Sequence, residues 1–174
     1  SPTSSAIIRT TRQNASAGTV QSAVYTYDGT SKSLVADVPA GCTEVVQTFT
    51  GTNGTSYGPT TEPPANPGVY NVKVSYTMQS GYAELQPQYA TLTINKATPA
   101  KPLAPVVTGV TDSSITIDVV DGMAYSIDGG VTWQTTGTFT GLTRDTTYEI
   151  KVKAVETACY KELEGPSTMQ ATEK

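Results

Sequence analysis

The sequence predicts an all-β protein: two tandem β-sandwich domains joined by a proline-rich linker. Three observations carry this. Thr and Val are abundant and Leu is rare, and β-branched side chains suit a pleated sheet better than a helix. Polar and apolar residues alternate with period two in one segment after another. Pro99, Pro102 and Pro105 then interrupt the chain, forbidding a central strand and biasing their predecessors to extended backbone. The 174 residues divide there into a domain over 1–98, a semi-rigid linker over 99–104 and a domain over 105–174.

Along the first domain, residues 1–18 show no clear pattern. Ile7 and Ile8 read as a first strand or as the tail of a preceding module. Val24-Tyr-Thr-Tyr27 and Glu44-Val-Val-Gln-Thr-Phe49 are strand candidates. Tyr70-Asn-Val-Lys-Val-Ser-Tyr76 alternates cleanly, with Tyr70, Val72, Val74 and Tyr76 inward and Lys73 outward. Ala90-Thr-Leu-Thr-Ile-Asn95 repeats the pattern with Leu92 and Ile94 inward. One wet face per strand is the antiparallel signature. Asp28-Gly29, Asn53-Gly54 and Pro67-Gly68 are turn signals, and four prolines mark an irregular crossing from Gly58 to Gly68.

In the second domain Ile115, Ile117 and Val119 share a face. Met123-Ala-Tyr-Ser-Ile-Asp128, Gly129-Gly130 and Val131-Thr-Trp-Gln134 read as a hairpin around a turn that needs positive φ. Thr138-Phe-Thr-Gly-Leu142 leads into Tyr148-Glu-Ile-Lys-Val-Lys-Ala154, where Tyr148, Ile150, Val152 and Ala154 point inward. Thr168-Met-Gln-Ala-Thr172 closes the sheet. Short strands at this spacing suggest a sandwich.

Composition excludes several function classes. Histidine is absent, which removes Ser-His-Asp and Cys-His catalysis and imidazole metal ligands. The net charge of −4 makes nucleic acid and anionic membranes poor partners. No apolar run approaches the ~18 residues of a membrane span. Ser1-Pro-Thr-Ser-Ser lacks the basic start and apolar core of a leader. Cys42 and Cys159 fall in different domains and read as two unrelated buried thiols. Asn14-Ala-Ser and Asn53-Gly-Thr match the glycosylation acceptor pattern, which arises by chance in so Thr-rich a chain.

Chemistry-bearing clusters are scarce. Asp28, Asp37, Glu44, Glu62 and Glu84 are scattered, and Asp112, Asp118, Asp121, Asp128 and Asp145 fall mostly at turns, where Asp is expected for backbone reasons. Asp118, Asp121 and Asp128 lack the spacing of a calcium loop. No catalytic, cofactor or metal residue is assigned. Ten tyrosines against one Trp and two Phe offer ring faces with hydroxyl handles. Tyr57, Tyr82 and Tyr89, in or near loops, are the candidate contacts for a glycan or an extracellular protein. Tyr70, Tyr148 and Trp133 are the candidate structural aromatics, Trp133 covering one end of the core. Lys73 and Lys96 are the candidates for a Lys–Asn cross-link, which needs a buried lysine.

Gly141-Leu-Thr-Arg-Asp-Thr-Thr-Tyr-Glu-Ile-Lys-Val-Lys-Ala154 resembles the Leu-x-x-x-Thr-x-Tyr-x-x-x-Val-x-Ala pattern of bacterial fibronectin type III domains. The resemblance implies that Tyr148 is a tyrosine-corner residue. Tyr125-Ser-Ile-Asp-Gly-Gly-Val-Thr-Trp133 looks like a variant of Gram-positive surface proteins. The usual strand-B Trp is missing, and Ile117 stands near its place.

Tyr27-Asp-Gly-Thr30, Asn66-Pro-Gly-Val-Tyr-Asn-Val-Lys-Val74 and Ala90-Thr-Leu-Thr-Ile-Asn-Lys-Ala97 resemble the "mostly β with glycine" (MBG) repeat, a bacterial Ig-like module of adhesins. Together the resemblances imply a non-enzymatic, monomeric module at the cell wall that needs no cofactor and serves as a presentation stalk or adhesin segment. The alternatives are a glycan- or host-protein-binding module and an accessory domain of a larger secreted hydrolase.

Overall fold

The computed structural model describes residues 11–174, so Ile7 and Ile8 lie outside the described residues. The protein is all-β: eleven strands and no helix occur among the described residues. The chain divides into two compact units, Ser1–Asn95 and Lys96–Lys174. The division falls before the prolines, so the proline-rich segment belongs to the second unit.

The first unit holds β1 (Ala23–Thr26), β2 (Cys42–Thr52), β3 (Gly68–Met78) and β4 (Gln88–Asn95) in one sheet, ordered β1-β4-β3-β2. β2 pairs with β3 and β3 with β4 antiparallel, as alternation predicts. β1 instead runs parallel to β4, from Ala23↔Leu92 to Thr26↔Asn95. Period-two alternation marks faces and not strand direction, so this pairing was invisible in the sequence.

Inward-facing Phe49, Tyr70, Val72, Val74, Leu92 and Ile94 form the sheet's share of the core. The cover consists of irregular chain that brings Val20 and Leu34 onto that face. Two glutamines hold it there. Gln47 and Gln88 flank Val74 in one cross-strand row. The Gln47 amide accepts from the Leu34 N–H at 2.9 Å and donates to the Leu34 carbonyl at 2.6 Å. Gln88 accepts from the Val20 N–H at 2.8 Å and donates to the Gly18 carbonyl at 2.9 Å. Each side chain substitutes for a neighbouring strand and satisfies backbone groups that the partly buried cover would otherwise strand.

The crossing after β2 also folds back. Phe49 exchanges both backbone hydrogen bonds with Thr60, and the Gly51 N–H donates to the Tyr57 carbonyl. A Cβ at Gly51 would lie 2.2 Å from the Thr55 carbonyl oxygen, so only glycine permits this approach.

In the second unit β5 (Val107–Val110), β6 (Ile115–Ile117) and β8 (Thr138–Phe139) form one antiparallel sheet, ordered β5-β6-β8. β7 (Met123–Ser126), β9 (Thr147–Ala154), β10 (Leu163–Glu164) and β11 (Thr168–Ala171) form the other, with β9 central. Ile115, Ile117 and Phe139 from the first meet Tyr125, Ile150 and Val152 from the second in one core. The expected 123–134 hairpin narrows to a single pair, Tyr125↔Gln134, because the turn takes up the residues beyond Ser126. Val119 lies past the end of β6 and is 47% exposed, so it does not join Ile115 and Ile117 in the core.

Candidate functional site

The three candidate ligand tyrosines lie in different places. Tyr57 is half-buried; its ring meets Tyr70 edge-on at 5.4 Å between centroids, and its hydroxyl donates to the Glu62 carbonyl at 2.8 Å. Both ring and hydroxyl are thus used by the fold. Tyr82 is half-buried over Gly41, where a Cβ would come within 2.5 Å of the ring. Tyr89 is 61% exposed. It stands on the outer face of the sheet, in a cross-strand row with Lys73 and Thr48, beside a row of Thr91, Asn71 and Thr50. Tyr89 thus leaves its ring open on a polar sheet face, while Tyr57 and Tyr82 are drawn into packing.

The structural aromatics occupy defined positions. Tyr70 is buried and donates to the Asn66 carbonyl at 2.7 Å; burial, then the nearby Tyr57, push its phenol pKa up. The Tyr148 hydroxyl accepts from the Thr143 N–H at 2.9 Å, tying β9 to the chain just upstream. Trp133 is half-buried, and the Lys153 ammonium sits 4.3 Å from its ring centroid while pairing with Glu162 at 3.1 Å. Lys153 points away from the core that Ile150 and Val152 enter. Trp133 therefore covers the outer face of β7 and β9, and not the interior.

Beside it the positive-φ turn marked in the sequence is closed by side-chain hydrogen bonds that the sequence did not foretell. The Ser126 hydroxyl donates to Asp128 and accepts from the Gly130 N–H, and Asp128 accepts from both the Thr132 N–H and the Thr132 hydroxyl. The hydrogen bonds from the Thr132 hydroxyl, the Thr132 N–H and the Ser126 hydroxyl, in that order, lower the Asp128 pKa to about 2. The available signal was the spacing Ser-x-Asp-Gly-Gly-x-Thr, with polar side chains two and four residues apart across a positive-φ turn.

Shifted carboxyls elsewhere move in the same direction. Asp28 is held well below the carboxylate range by Lys32 and Thr30, Asp112 is lowered by Arg144 at 2.7 Å, and Glu156 by Lys96 at 2.8 Å. These are surface pairs holding ionised acids, the reverse of the raised pKa a general acid requires. No group of three or more metal-ligating side chains occurs among the described residues.

Lys73 is exposed and the Lys96 ammonium is paired with Glu156, so neither is the buried lysine a cross-link demands. Cys42 and Cys159 are free thiols, half-buried and not buried as the sequence suggested, and the Cys42 thiol donates to the Glu44 carbonyl. An apolar groove of about 240 Å³ lies between the 100–106 segment and Val120, Met123, Tyr125 and Val152.

No protein-family model matches this chain, and no curated protein does. Solved structures do match. One is the FN1–FN3 domain set of chicken CNTN1, 13% identical, with a TM-score of 0.32 over 91% of this chain and 64% of that one. The chain thus spans just under two thirds of that structure, and a likeness of this degree carries no argument about activity. The topology stands without it. Facing three- and four-stranded sheets, closed by a tyrosine tied to upstream backbone, give the second unit a fibronectin type III-like sandwich.

Proposed function

We propose that the chain is a non-catalytic extracellular module of a bacterial surface protein, a stalk segment that holds another module away from the cell wall. In this reading the first unit is an MBG-like repeat and the second a bacterial fibronectin type III domain.

The backbone at the seam supports it. The Asn95 carbonyl accepts from the Tyr27 N–H at 2.8 Å within the first unit. Two residues on, the Ala97 N–H donates to the Cys159 carbonyl at 2.9 Å within the second. Only Lys96 lies between, and its side chain pairs with Glu156. A spacer works by transmitting position, and here one residue separates the backbone hydrogen bonds of the two units. The test is ¹⁵N relaxation on the full chain. The expected result is one common tumbling time for both units, and insertion of Gly-Ser-Gly-Ser after Asn95 separates it into two. Independent tumbling of the unaltered chain overturns the reading.

The exposed Tyr89 ring favours a second reading, a module that binds glycans across the outer face of the first sheet. Glycan-array binding that Tyr89→Ala abolishes would select it; an array without hits leaves the stalk.

A further inference from the structure

In each unit the entering and leaving segments run side by side, parallel and in constant register. In the first, Gln13 bridges Tyr82 in parallel, its N–H donating to the Gly81 carbonyl and its carbonyl accepting from the Ala83 N–H. Gln88 then ties to Gly18 and Val20. The Thr91 N–H donates to the Ser22 hydroxyl at a separation of 69 residues. The β1–β4 ladder continues the same offset from Ala23↔Leu92 to Thr26↔Asn95.

The second unit repeats the device. Ala97 bridges Tyr160 in parallel, with hydrogen bonds to the Cys159 carbonyl and from the Lys161 N–H. Gly165 packs so closely on Pro102 that a Cβ would lie 2.6 Å from the Pro102 carbonyl oxygen. The Thr168 hydroxyl donates to the Pro105 carbonyl at 2.6 Å and a separation of 63 residues. That offset also relates Ala97 to Tyr160 and Pro102 to Gly165.

The direction of these contacts has a mechanical consequence. When two parallel segments are pulled from the start of one and the end of the other, the load enters at opposite ends of their ladder. All the bonds are then sheared together. When both are pulled from the same end, the bonds break one at a time. A tether attached at the two chain ends loads both units in the first way.

We infer that both units are shear clamps, which makes the chain load-bearing under tension along its length. This rests on the stalk reading and adds a function to it. The prolines of the second clamp donate no hydrogen bonds, so the second unit is the weaker clamp and yields first.

Single-molecule pulling of the full chain tests this, with Cys42→Ser and Cys159→Ser freeing the thiol chemistry for attachment. Pulled from its two ends, the chain resists severalfold more force than when held at the N-terminus and at Glu84→Cys, a geometry that peels the first clamp. Ala97→Pro removes one clamp bond and lowers the first of the two unfolding forces alone; Ser22→Ala lowers the second alone. Denaturant midpoints measured alongside separate lost clamp strength from lost stability, since a merely structural role moves both together. Equal forces in the two pulling geometries overturn the inference. So do forces that follow only the denaturant midpoint. Neither result bears on the tumbling test of the stalk, and independent tumbling leaves the shear result standing.

Discussion

Asp128 shows how much one turn side chain organises. Its carboxyl is held at about 2 against an ordinary 3.8, so the folded state favours its ionised form. The stabilisation this carboxylate supplies is present above pH 3.8 and is lost as the pH falls towards 2. In Thr132→Val the carboxyl is expected to titrate nearer 3.8, read from its ¹³C chemical shift; an unchanged titration means that other groups set it. Gln47 tests the other residue-scale device. Gln47→Leu leaves the Leu34 N–H and carbonyl without their partner and is expected to cost about 1–3 kcal/mol, measured by urea denaturation. Gly41→Ala combines a positive φ of 75° with a ring 2.5 Å from the new Cβ. Its expected cost is about 2–4 kcal/mol in the same measurement. Gln47 and Gly41 looked unremarkable in the sequence, because each depends on a partner that is distant along the chain or on the handedness of one turn.

At the scale of elements, the clean alternation of β3 and β9 translated directly into structure. Tyr70, Val72 and Val74 are buried, as are Ile150 and Val152, while Lys73 faces solvent. Ile150→Ala, at a fully buried position of a central strand, is expected to cost about 2–5 kcal/mol by chemical denaturation. Val24→Thr, on a strand whose side chain is 67% exposed, is expected to stay within about 0.5 kcal/mol of the parent. Where alternation was weak, the elements changed. The second arm of the 123–134 hairpin became a hydrogen-bonded turn, since Asp128 offers Thr132 stronger local partners than a ladder does. The 58–68 crossing became an edge partner of β2. Of the candidate ligand tyrosines, loop position alone could not separate Tyr57, drawn onto Tyr70, from Tyr89, left on an open sheet face.

For the whole molecule, two separate cores and a division at Asn95/Lys96 make the position of a cut decisive. A fragment of residues 96–174 is expected to fold, with amide dispersion matching the second unit of the intact chain. A fragment starting at Pro105 lacks Ala97 and its bridge to Tyr160 and the buried Pro102. It is expected to lose roughly 2 kcal/mol or more in thermal or urea unfolding, since apolar surface around Tyr125 and Val152 opens to water. Equal stability of the two fragments would mean that the proline-rich segment is a passive linker.

The sequence by itself determined what depends on near neighbours: the all-β class, the inward and outward faces of the regular strands, the positive-φ turns and the tyrosine tied back above β9. Alternation and turn chemistry are local, so they survive without knowledge of the fold. Tertiary structure alone decided the parallel course of each unit's two ends, the glutamines that replace strands and the attachment of the prolines to the second unit. Apart from Gln47, which reaches back thirteen residues to Leu34, those contacts join segments more than sixty residues apart, and the chain between them is what brings each pair into register.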